Sequence, residues 1–118
     1  MFTITTSNVT VMVTDMDRSV EFYTKGLGLE LKHRWDNHYA QVAAPGVVIG
    51  LHPAKEVHIG STNVSIGFGI VNLEEVKIRL DELGVKYKIS DDKAGDFVSF
   101  TDPDGTSLYF MQSKVGDW

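Results

Sequence analysis

The sequence predicts an α+β fold built from two β-α-β-β-β modules, and three observations lead there. The order strand, helix, strand, strand, strand occurs twice along the chain. Residues recur between the halves as well: Val13-Thr14-Asp15-Met16 matches Ile70-Val71-Asn72-Leu73 at an offset of 57, and Leu27-Gly28 matches Leu83-Gly84 at 56. Pro45-Gly46 with Val48-Ile49-Gly50-Leu51 matches Asp104-Gly105 with Ser107-Leu108-Tyr109-Phe110 at 59. Drifts of this size are what insertions in surface loops produce at little cost. Third, Asp102-Pro103-Asp104-Gly105 has the residues of a tight hairpin turn: Pro103 fixes φ, the aspartates bond back to nearby amides, and Gly105 can take a positive φ.

Each element has its own local reason. Asn8 to Thr14 alternates, with Val9, Val11 and Val13 on one side and Asn8, Thr10 and Met12 on the other, as a half-buried strand does. Asp15 or Asp17 can cap the following helix, Met16, Val20, Phe22, Tyr23 and Leu27 form its apolar stripe, and Gly26 and Gly28 stop it. Leu29 to Trp35 alternates apolar with charged residues and reads as a strand with one solvated face. Asp36-Asn37 turns the chain into the strand Tyr39 to Ala44, and Pro45-Gly46 turns it into Val47 to His52.

Module 1 spans 7–52, a connector without periodicity spans 53–62, and module 2 spans 63–112, the two modules forming one domain over 1–118. In module 2, Val64 to Ile70 reads as a strand and Leu73 to Leu83 as a helix ended by Gly84. Val85 to Ile89 reads as the next strand, and the hairpin strands Asp96 to Phe100 and Ser107 to Met111 complete the set.

With 118 residues, 42% hydrophobic and 23% charged, the chain can bury a core. It contains no cysteine, which removes disulfides and thiolate metal sites and fits a reducing, cytoplasmic setting. No signal-peptide pattern and no run of roughly 20 apolar residues is present, so neither export nor a membrane span is expected. The net charge is -5 and the lysines and arginines are scattered singly, which argues against a nucleic-acid surface.

Val13 to Tyr23 followed by Gly26-Leu27-Gly28, the helix from Leu73 to Gly84, and Phe100-Thr101-Asp102-Pro103-Asp104-Gly105 together resemble the vicinal oxygen chelate superfamily, the group of glyoxalase I, extradiol dioxygenases, fosfomycin-resistance enzymes and bleomycin-resistance proteins. The resemblance covers nearly the whole chain. It implies that the sheets curl into a cup with the helices outside, and that chains of this length pair as homodimers. It also implies where a divalent metal would be held in metal-using members, namely on the first and last strands of each module. Those positions are Asn8 and Gly50 in module 1, and Ser65 and Tyr109 in module 2. Glycine has no ligating side chain, and asparagine, serine and neutral tyrosine are poor partners for such an ion. No metal or other cofactor is therefore expected.

By alternation, Asn8, Thr10, Met12, Tyr39, Gln41, Val48, Gly50 and His52 face the cup from module 1. Ser65, Gly67, Gly69, Phe97, Ser99, Ser107, Tyr109 and Met111 face it from module 2. Small residues leave volume, aromatics and methionines give apolar walls, and amides and hydroxyls can orient a ligand, which is the composition of a small-molecule pocket. The same residues could instead fill a core, and the glycines could serve close packing. Trp35 and Trp118 are placed at the mouth of a cup, at a dimer seam, or simply at the surface. His33 and His38 flank a turn and His58 sits in the connector. The expected function is metal-independent binding of a small, partly aromatic molecule, of the bleomycin-resistance type, in the cup between the half-sheets. The alternative is a lyase, isomerase or dioxygenase-type enzyme, with a shifted metal site at His52 or with His52 or Tyr109 as acid or base.

Overall fold

The computed structural model describes residues 3–57 and 64–114. The chain divides after Val57 into two units, each with its own sheet and helix.

In the first unit, β1 (Val9–Val13) leads into α1 (Met16–Glu21), which runs on into a π-helical turn at Phe22–Gly26. Three strands follow: β2 (Glu30–Trp35), β3 (Tyr39–Ala44) and β4 (Val47–Pro53). The sheet order is β1-β4-β3-β2, with β1 parallel to β4 and the other pairs antiparallel. The second unit repeats this with β5 (Ser65–Gly69), α2 (Leu73–Glu82), β6 (Lys88–Asp91), β7 (Gly95–Thr101) and β8 (Ser107–Ser113), in the order β5-β8-β7-β6. The α+β class and the two β-α-β-β-β modules are thus as the sequence predicts.

Each helix packs on one face of its own sheet. α1 meets β3 and β4, and α2 meets β7 and β8. Val11, Val13, Ala40, Val42, Ile49 and Leu51 point toward α1, where Met16, Val20 and Tyr23 are buried against them. In the second unit Ile66, Val98, Phe100 and Leu108 meet Leu73 and Leu80, and the rings of Phe100 and Phe110 stack at 5.2 Å. Removing an aliphatic side chain of this size from water is worth roughly 1.5–3 kcal/mol. Among the described residues, no helix is long and apolar enough to cross a membrane.

The repeat extends to the caps. Asp15 Oδ1 accepts the Arg18 N–H at 3.1 Å, and Asn72 Oδ1 accepts the Glu74 N–H at 3.0 Å. Gly28 and Gly84 end the helices at φ +80° and +69°, and Gly46 and Gly105 close the hairpins at +82° and +88°. Asp102 is only 3% exposed, and its Oδ1 accepts the N–H groups of Asp104 at 2.9 Å and Thr106 at 2.8 Å. Its carboxylate therefore builds the hairpin turn from within.

Four local readings change. The first helix carries one residue more between its cap and its terminal glycine than the second, and that residue is absorbed by the π-helical turn. The drift of the offset from 57 to 56 thus arises inside a helix and not in a surface loop. The strand expected at Val85 to Ile89 begins only at Lys88. Val85 donates its N–H to Leu80 O at 2.9 Å to close α2, so it is not available to a strand ladder. Asn8 stands just before β1 instead of within it, and β4 continues through Pro53, which pairs with Val13. Finally, β2 contains a bulge: Leu31 pairs with Val42 but His33 with Gln41, leaving Lys32 as the extra residue.

Candidate functional site

The site in the first unit lies on the sheet face turned away from α1. Strand alternation sends Thr10, Met12, Tyr39, Gln41, Val48, Gly50 and His52 there, opposite the buried row. Register places Thr10 opposite Gly50, and Gly50 opposite Gln41. Gly50 is buried although it has no side chain, because Tyr39 reaches across it. A Cβ at Gly50 would collide with the Tyr39 hydroxyl and lie 3.1 Å from Thr10 Oγ1. Gln41 Nε2 donates to the same Tyr39 hydroxyl at 3.2 Å. Asn8 Nδ2 donates to Thr10 Oγ1 at 3.1 Å. Two hydroxyls and two amides are therefore gathered around a backbone position that is free of side-chain bulk.

The bulge at Lys32 changes which residues join this face. Without it, simple alternation would keep Leu31, His33 and Trp35 on one side; with it, Leu31 stays opposite buried Val42 while His33 and Trp35 cross to the side of Gln41 and Tyr39. The rings of His33 and Trp35 stack at 5.3 Å and 29°, and those of Trp35 and Tyr39 at 5.8 Å and 26°. Three near-parallel rings thus form one continuous aromatic row, with Trp35 54% exposed. Sequence reasoning missed this row. A signal for half of it was present, since residues flanking the Asp36-Asn37 turn, such as Trp35 and Tyr39, are cross-strand neighbours.

In the second unit, Ser65, Gly67, Gly69, Phe97, Ser99, Ser107, Tyr109 and Met111 share the face away from α2 by the same alternation. Tyr109 takes the side-chain space of Gly67, its partner in register, as Tyr39 takes that of Gly50, but Gly67 stays exposed. Phe97 stands beside Tyr109 with ring centroids 6.1 Å apart. Ser65 and Ser99 are exposed, whereas Met111 is only 2% exposed and its thioether is packed away. Each unit thus brings its predicted residues onto one face, with a tyrosine lying over a glycine.

The positions implied for a divalent ion do not fit one. Gly50 offers no donor and its side-chain space is taken by Tyr39, while Asn8, whose amide nitrogen donates to Thr10, has only an uncharged amide oxygen to offer. Ser65 and Tyr109 supply only hydroxyl oxygens, poor donors to such an ion. Exposed His52 turns Nδ1 toward Pro53 O at 3.0 Å, and exposed His38 lies at the β2–β3 turn. His58 and Trp118 lie outside the described residues. A concavity of about 590 Å³ at the start of α2, bordered by Asn72, Glu74, Lys77 and Asp96, is no better as an anion site. Asn72 and Gln112 already accept the N–H groups of Leu73, Glu74 and Glu75 that would hold an anion.

Solved structures share this fold. A glyoxylase/bleomycin resistance protein/dioxygenase domain from Frankia sp. EAN1pec is 20% identical, with 98% of this chain and 96% of that one covered and a TM-score of 0.76. The genomically encoded fosfomycin resistance protein FosX from Listeria monocytogenes is 18% identical, with 97% of both chains covered and a TM-score of 0.82. A lactoylglutathione lyase from Agrobacterium tumefaciens is 15% identical, with 97% of both covered and a TM-score of 0.76. Residues 6–110, most of the chain, match the family model of the Glyoxalase/Bleomycin resistance protein/Dioxygenase superfamily. The chain belongs to the Glyoxalase/Bleomycin resistance protein/Dioxygenase superfamily.

Proposed function

We propose that this protein binds a small organic molecule without a metal ion, as a sequestering or carrier protein, on the sheet faces turned away from its helices. The observation that carries this reading is the arrangement at Gly50. Where a metal-using relative would present a ligand, this chain has no side chain, and the Tyr39 hydroxyl with its Gln41 partner takes the space. The result suits hydrogen bonding to an organic group better than coordination of an ion. Sequestration of a toxic compound, antibiotics included, is the biological use in keeping with such a protein, and a homodimer is the expected assembly.

The test is a thermal-shift screen of metabolites and antibiotics with a chelator present. A binding protein gains stability that follows the free concentration of one organic ligand. Stabilisation by divalent metals in a parallel chelator-free screen, with no organic ligand effective in either, would refute the proposal.

A second reading, a lyase or isomerase, draws on the half-buried Tyr109 beside Phe97, a phenol in a partly apolar setting. Metal analysis of the purified protein and turnover by Tyr109→Phe and His52→Ala separate the two. Turnover abolished by either substitution would favour the enzyme.

A further inference from the structure

Resting on the binding reading above, we infer that the ligand is a planar aromatic molecule with a hydrogen-bonding group on one edge, held through the aromatic row of the first unit. Tyr39 belongs to two arrangements at once. Its ring continues the row formed by His33 and Trp35. Its hydroxyl sits over Gly50, paired with the Gln41 amide and beside Thr10. A surface that is aromatic along one side and polar at one end selects for a molecule with the same division. An aliphatic molecule of equal size would lose the ring–ring contact, and an aromatic hydrocarbon would offer no acceptor to the O–H of Tyr39, whose oxygen already accepts from Gln41.

Two further features fit a small planar occupant. The bulge at Lys32 has no effect on the buried row, since Leu31 remains opposite Val42, yet it brings both His33 and Trp35 to this face. Trp35 nonetheless remains 54% exposed, so the row keeps a large apolar surface in contact with water. A second copy of the chain would cover much more than this, and the polar group at Gly50 would interrupt its apolar contact.

The experiment uses the full-length protein with Trp118→Phe, which leaves Trp35 as the sole tryptophan. Its single indole N–H resonance is followed by NMR during titration with 2-naphthol and, separately, with the saturated decahydro-2-naphthol. The expected result is a saturable shift with 2-naphthol and binding at least tenfold weaker for the saturated compound. Trp35→Ala should weaken 2-naphthol binding about three- to tenfold, measured by thermal shift, while Trp35→Phe retains most of it. Equal binding of both compounds, or no shift of the indole resonance, overturns the inference. So does a change from dimer to monomer in Trp35→Ala, by sedimentation, with binding unaffected, because the row is then an interface between copies. The binding reading fails separately, if no organic ligand stabilises the protein. A screening ligand that binds wild type and Trp35→Ala equally refutes only the aromatic assignment.

Discussion

Tyr109, on the neighbouring strand, fills the side-chain space of Gly67, so that a Cβ on Gly67 would collide with the tyrosine ring and its hydroxyl. The two residues share one space: the aromatic side chain occupies the volume a side chain on Gly67 would need, while the glycine itself stays exposed. Gly67→Ala should therefore displace the ring yet cost no more than about 1 kcal/mol by chemical denaturation, because what must give is the far end of a half-exposed side chain. Adding Tyr109→Ala should make the double variant less destabilised than the sum of the two single ones. Strict additivity would show that the ring does not depend on the glycine.

At the β7–β8 turn, Asp102→Ala removes the acceptor for the N–H groups of Asp104 and Thr106 and should cost about 1–3 kcal/mol. Asp102→Asn keeps an oxygen in the same place and should cost less. Equal losses for the two would mean that the charge, and not the acceptor geometry, holds the turn.

Deletion of Lys32 offers a sharper test of the bulge. With that residue gone, Leu31 can remain opposite Val42 and His33 opposite Gln41 in a regular ladder. The variant should fold with stability within about 1 kcal/mol of wild type, whereas deletion of Ala40, which is fully buried, should abolish folding. Loss of folding on deleting Lys32 would place the irregularity elsewhere.

Lys114 makes the alkaline prediction. Its hydrogen bond to Asp91, with the charge of Asp96 adding to it, raises its pKa above the ordinary lysine value of 10.5. A raised folded-state pKa gives stability that is complete below 10.5 and lost as pH climbs through the higher value. Lys114→Met should therefore flatten the fall of stability above pH 10.5, seen in thermal melts across that range. The effect is expected to be small, since the pair is exposed to solvent.

Much of this was legible in the sequence because the signals are local. Asp15, Asn72, Gly28 and Gly84 mark helix ends by backbone chemistry that needs no partner strand, and Asp102 to Gly105 declares its turn in the same way. What escaped depends on pairing. Leu29 to Trp35 alternates without a break, so nothing in those residues alone announces that Lys32 is extra relative to β3. The aromatic row went with it, because its existence follows from the bulge. The start of β6 was missed for a related reason, since Val85 alternates with its neighbours but spends its N–H on the helix before it.

The spacing between the halves, 57 at the helix caps, 56 at the terminal glycines and 59 at the last hairpins, decides which positions are counterparts. Carried through the chain at the helix-cap spacing of 57, Tyr109 would correspond to His52, and the last strands would present a histidine and a tyrosine. Strand pairing gives a different correspondence: Val9 faces Ile49 as Ile66 faces Leu108, so Tyr109 answers to Gly50. Comparing the halves by a fixed shift would thus turn an empty position into an apparent imidazole ligand. Hydrogen-bond register, and not distance along the chain, is the ruler by which the two halves have to be aligned.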